Sequence, residues 1–187
     1  MPCISFAPPA IWYSSYLFPN PDGLSVKTTA AKNHANRCLV KGNAPEAVML
    51  TIPVEGGGRI LKHTKDLTRV KLSDHGNWRH THLGALEACY GKTPYYVYLM
   101  DELQKVYDAY FESLQDFNNA IHKVIMTFMI GEMNENAIKH FLKNPLIKER
   151  GGELATRIDP FLSVIDALMT LGRDTLPALM ALRMQPK

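Results

Sequence analysis

From Leu103 onward the apolar and aromatic residues of this chain return every three or four positions, at Tyr107, Tyr110, Leu114, Phe117, Ile121, Val124 and Phe128. That spacing draws one stripe along a helix and cannot serve a strand, whose side chains change face at every residue. The stripe predicts a long amphipathic helix that starts from Asp101 as its N-cap, breaks once near Glu112 and stops at Gly131. A helix with one apolar face must pack against something, so the rest of the chain has to supply a partner layer.

The helical pattern begins before this stripe and resumes after it. Trp78 to Tyr90 reads as a helix stopped by Gly91 and Pro94, and residues 137–142 read as a short one. Residues 148–152 look like an exposed loop. Leu162, Ile165, Leu168 and Met169 mark a buried face closed by Gly172, and Asp174 caps a last helix carrying Leu176, Leu179, Met180 and Leu182.

Ahead of Gly76 the pattern is different. Short runs at residues 3–7, 24–28, 36–41, 47–54 and 67–72 read as strands, with a helical turn over residues 10–18. Turns separate them: the Pro19-Asn20-Pro21-Asp22-Gly23 cluster, and Gly42-Asn43-Ala44-Pro45 between two strands that should form a hairpin. Gly56-Gly57-Gly58 reads as a mobile hairpin or lid loop, because the Gly-Lys-Ser/Thr of a phosphate loop does not follow it.

Strands early and helices late give a mixed α/β fold: an N-terminal mixed sheet with a helical half packed on it, α+β being the close alternative. At 187 residues and 46% hydrophobic content, one core suffices. The expected organisation is a single domain over 1–187, with a strand-rich half (1–75) and a helical half (76–187).

Composition removes several function classes. The three cysteines stand at wide, unpatterned spacings, neither a disulfide framework nor a metal half-site, and suit a reducing cytoplasm. No apolar run reaches membrane-spanning length, and the apolar opening has neither the basic start nor the cleavage site of a signal peptide. A net charge of +3 gives no case for nucleic acid, and no RNA- or DNA-binding signature is present. The charge is uneven: residues 27–82 hold ten Lys or Arg against four acids, while 101–136 hold seven acids against two lysines. A basic front half suits a small anionic ligand, although a solvated basic face is the commoner cause of such an excess.

The densest recognition chemistry is His75-Gly76-Asn77-Trp78-Arg79-His80-Thr81-His82, followed by Tyr90. The three imidazoles are badly spaced for one metal ion, since His75 and His82 would lie roughly 10 Å apart along a helix axis. No metal is expected, and no cofactor is indicated. As a recognition face, Arg79 and His82 would flank Trp78 near helix N-terminal amides, a guanidinium, an imidazole and an indole able to hold a phosphate and stack on a base or sugar. The competing expectation is that Trp78 and Tyr90 are core and the imidazoles surface.

Together these segments resemble the WbqC-like family, especially the version seen in Bacteroidetes. The likeness rests on Asn36-Arg37-Cys38, Leu50-Thr51-Ile52-Pro53-Val54, Asp74 through His80 with His82, Tyr90 and Pro94-Tyr95-Tyr96. The opening Phe6-Ala7-Pro8-Pro9 and the late Leu162-Ser163-Val164-Ile165-Asp166-Ala167-Leu168-Met169 add to it. The resemblance implies a role in O-antigen or other surface-polysaccharide biosynthesis, as a transferase that binds a nucleotide-activated sugar and moves an acyl or aminoacyl group. Other branches carry a His-Gln-Pro opening and an Asp-Asp pair before the Asn-Arg motif; here Ala7-Pro8-Pro9 and a basic stretch stand instead, which leaves open binding without reaction. The expected site is Asn36, Arg37, Arg79, His75 and Tyr90 as ligand contacts, Trp78 as a stacking platform, and His82 or His80 as the base, since an imidazole titrates near neutrality. The alternative is a non-catalytic protein that forms a homodimer or docks to a biosynthetic partner.

Overall fold

The computed structural model describes residues 6–18, 35–42, 46–64, 66–131 and 135–184. The strand expected at 24–28, the turn at 19–23, most of the strand at 3–7 and the tip of the hairpin turn lie outside these residues. Among the described residues the elements run α1 (Ala10–Leu17), β1 (Arg37–Val40), β2 (Val48–Thr51), α2 (Gly58–His63), α3 (Trp78–Tyr90), α4 (Tyr96–Asp108), α5 (Leu114–Ile130), α6 (Glu135–Lys143), α7 (Pro145–Ala155), α8 (Val164–Leu171) and α9 (Thr175–Met184). None of these helices is long and apolar enough to cross a membrane.

The fold is mixed, with the helical half packed against a short sheet. β1 and β2 pair antiparallel in the register Arg37↔Thr51 through Val40↔Val48, as the hairpin predicts. Cys38, Val40 and Leu50 face inward from it. The strand expected at 67–72 is a 3-10 turn, Leu67–Arg69, because the Asp66 side chain accepts from the Thr68 amide and closes the backbone locally. Only its end pairs, Leu72 with Val54 and Lys71 with Ser113.

Those two bridges explain the break in the long stripe. Ala109 leaves helical geometry at ψ 152, and the 109–113 segment runs beside 70–72, where the Leu72 amide bonds the Glu112 carbonyl and the Leu114 amide bonds the Val70 carbonyl. Ser113 then restarts the helix by accepting from the Asp116 amide. Leu114, Phe117, Ile121, Ile125 and Met129 form the buried face of α5, while α4 buries Leu99, Leu103, Val106 and Tyr107.

Three expected boundaries move. Asp101 is an exposed mid-helix residue, since α4 already begins at Tyr96. Gly56 and Gly57 turn the chain with positive φ, but Gly58 opens α2, so the lid loop is largely a short helix. Residues 148–152 are helical within α7, which Asn144 caps and Pro145 enters at its first turn. α8 supplies the centre of the helical half: every residue from Val164 to Met169 is buried. A single hydrophobic cluster runs from Phe6 to Leu182, drawing on the sheet and the helices alike.

Candidate functional site

α3 buries Trp78, His82, Leu86 and Tyr90, a strict spacing of four that aims two of the expected ligand groups inward. His82 is 3% exposed, its ring stacked on Phe6 with centroids 5.9 Å apart. Its Nε2 lies 3.1 Å from the Thr51 carbonyl oxygen and its Nδ1 3.1 Å from the Tyr107 hydroxyl. A carbonyl can only accept, so the network assigns the ring proton to Nε2, and Nδ1 accepts from Tyr107. Burial pushes the imidazole down to about 4, against which the Thr51 bond pulls upward. It stays neutral with both nitrogens engaged in the core, whereas His80, the other expected base, is exposed.

Trp78 donates its indole N–H to the Ser73 carbonyl and packs edge-on against His82 and Phe117. Arg79 lies over the outer face of that indole, its guanidinium carbon 4.6 Å from the ring centroid, and donates to the Tyr107 carbonyl at 2.7 Å. Indole, guanidinium and imidazole are therefore brought together, but as a plug closing the end of α4. Asn36 is buried elsewhere, donating to the Ile52 carbonyl and extending the hairpin pairing. Arg37 and His80 are exposed. His75 faces a different hollow of about 470 Å³ that it shares with Glu55, Lys71, Asp74, Tyr110 and Glu112. The expected convergence on one open anion site is not formed by these groups.

Tyr90 leads to a second arrangement that sequence reasoning missed. Its hydroxyl accepts the Lys41 amide at 2.9 Å and donates to Asp166 Oδ1 at 3.0 Å. Asp166 is 6% exposed and sits on α8, the apolar central helix. Burial raises its carboxyl above the ordinary range and nearby Asp159 pushes the same way, while the Tyr90 hydrogen bond and Lys41 oppose the rise. Burial also raises the phenol of Tyr90, with the Asp166 charge adding to it, so Tyr90 remains a donor.

Asp166 borders a hollow of about 360 Å³ lined also by Lys41, Gly42, Arg157, Asp159 and Thr170. Two cations, Lys41 and Arg157, beside Asp159 and a buried carboxyl with a raised pKa give one polar cleft the groups to hold an anion and to move a proton beside it. One signal in the sequence pointed here: a lone acid inside the otherwise apolar run 164–169. Nothing local marks Lys41 or Arg157, which meet it only through the fold. Among the described residues, no group of three or more His, Cys, Asp or Glu is placed to hold a metal ion.

Comparison with known proteins gives a family-level match: the model of the WbqC-like protein family aligns with residues 29–139. Lys41 and Tyr90 fall inside that stretch, whereas Arg157 and Asp166 lie beyond it. No curated protein and no solved structure matches the chain.

Proposed function

Because the chain belongs to the WbqC-like protein family, we propose that it acts in the cytoplasm in surface-polysaccharide biosynthesis, holding a nucleotide-activated sugar at the Lys41, Arg157 and Asp166 hollow. The observation that carries the reading is Asp166: a carboxyl this enclosed, with its pKa raised and its Oδ1 held by Tyr90, faces two cations across a ligand-sized space. Lys41 and Arg157 take the phosphate charge, and the base expected at His82 or His80 is instead Asp166.

The chemistry that fits is group transfer. As the oxygen of a sugar hydroxyl attacks the carbonyl carbon of an activated acyl or aminoacyl donor, Asp166 accepts the hydroxyl proton, and the donor's leaving group departs with the electrons of the broken bond. Tyr90 fixes the carboxylate so that its free oxygen meets the hydroxyl. Asn36, Trp78 and His82 act from behind, by holding the hairpin that carries Lys41 against α3. Arg37, Arg79, His75 and His80 do not border this hollow.

Calorimetry with UDP-glucose or a dTDP-sugar tests the reading. Arg157→Ala and Lys41→Ala should each weaken binding about tenfold, while Asp166→Asn should keep binding and lose transfer. Unchanged affinity in both cation variants removes the site. A light-scattering mass above the monomer, with no response to either ligand, favours the assembly alternative.

A further inference from the structure

A hollow of about 690 Å³ lies between α4 and α5, away from Asp166. Its floor is apolar: Val106, Ala120, Val124 and Phe128. One end is built with unusual tightness. Gly172 has φ +57, and a Cβ there would stand 2.5 Å from the Tyr95 ring, so the ring seats directly on the glycine backbone and meets Phe128 edge-on. A Cβ on Gly131, at φ +65, would stand 2.9 Å from the Arg173 guanidinium, which thus rests over the C-terminus of α5. Two glycines therefore hold an aromatic wall and a cation in place at the same end of the groove.

The rim carries Lys105, Lys123 and Arg173 against one acid, Glu102, and that acid already pairs with Lys105 at 2.5 Å. Among the described residues, Lys123 and Arg173 have no carboxylate within ion-pair reach. A neutral partner helix packed into this apolar trough would leave Lys123 without a countercharge and Arg173 with only the carbonyl end of α5. The complement of an apolar floor edged by two cations that no described carboxylate pairs is an apolar chain ending in a group that carries up to two negative charges.

We propose that this groove binds a single-chain amphiphile with a terminal phosphate, its chain along Val106, Val124 and Phe128 and its phosphate on the cationic rim that Lys123 and Arg173 supply. The site is independent of the sugar hollow, and the two can fail separately.

The test is calorimetric titration of the full chain with dodecyl phosphate below its micellar concentration. One site is expected, at least tenfold tighter than dodecanoate, with no heat from butyl phosphate or from dodecyltrimethylammonium. Lys123→Glu, an exposed position, should weaken dodecyl phosphate at least tenfold without moving the melting temperature, and Ala120→Trp should block the floor. Asp166→Asn should leave this binding unchanged. Equal affinity for the cationic amphiphile, or full affinity in Lys123→Glu, overturns the proposal. So does a light-scattering mass of two chains with no amphiphile uptake, which would mean that a second copy covers the groove.

Discussion

At His82 the imidazole serves the core. It joins β2 to α4 through Thr51 and Tyr107 and stays neutral in the fold at a pKa of about 4, whereas in the unfolded chain it regains its ordinary value of 6.5. A lowered histidine pKa means the unfolded state binds the extra proton first. Its contribution is therefore intact above pH 6.5 and is lost as pH falls towards 4, by about 3 kcal/mol at the acid end. His122, lowered by burial as well, acts in the same direction. The stability gap between the native protein and His82→Gln, read from urea unfolding, should narrow by that amount between pH 7 and pH 4; a gap independent of pH would mean that His82 ionises freely in the fold. The same scale governs Asp166. Tyr90→Phe leaves the part-buried Lys41 amide and the buried Asp166 carboxylate without this partner, a cost of about 1–3 kcal/mol. Because the lost hydrogen bond was lowering the Asp166 pKa, the carboxyl should titrate still higher in the variant, as carbon NMR of labelled aspartate would show. Sequence could count the imidazoles near Trp78 but could not say which way α3 would turn them. That depended on Thr51 and Tyr107, 31 and 25 residues away.

Elements were legible where periodicity was strong and misplaced where a turn or cap decided. The α5 stripe, the hairpin and the α8 face all follow from spacing, and even the interruption near Glu112 was visible in it. The strand expected at 67–72 alternates like a strand yet folds as a 3-10 turn, since Asp66 captures Thr68 and satisfies the backbone without a sheet neighbour. Asp101 looked like a cap, but the chain had already turned helical at Tyr96. The real cap is Ser113, whose hydroxyl accepts from the Asp116 amide and donates to its carboxylate at 2.6 Å. Ser113→Ala should cost about 1 kcal/mol in chemical denaturation. Gly172→Ala should cost more, about 2–3 kcal/mol, since it adds positive-φ strain to a collision with the Tyr95 ring. A silent Gly172→Ala would show that this wall of the groove is not fixed.

Over the whole molecule the helical half is tied together where α7 crosses α9. A Cβ on Gly151 would stand 2.5 Å from the Pro177 carbonyl oxygen, a backbone atom that cannot swing aside, whereas Gly152 has nothing within 4 Å. Gly151→Ala should therefore force the two helices apart and lose about 1–3 kcal/mol, while Gly152→Ala in the same helix should gain about 0.5–1 kcal/mol. Opposite signs at neighbouring glycines in thermal melts would establish the crossing; the same sign for both would contradict it. Sequence read residues 148–152 as a loop because two adjacent glycines weaken any helix, and the close approach that calls for one of them is a tertiary fact. The candidate site was hidden for the same reason. Tyr90 was singled out from its motif, but Lys41, Arg157 and Asp166 come from three segments that only the fold brings into one hollow, with the Tyr90 hydroxyl bonded to two of them. The most direct test is to map where a nucleotide sugar binds, by following backbone amide shifts in nitrogen-15 NMR as UDP-glucose is added. Saturable shifts centred on Lys41, Gly42, Arg157 and Thr170, and absent in Arg157→Ala, are predicted; shifts confined to His75 through His82, or no saturable shift at all, would contradict the assignment of this hollow.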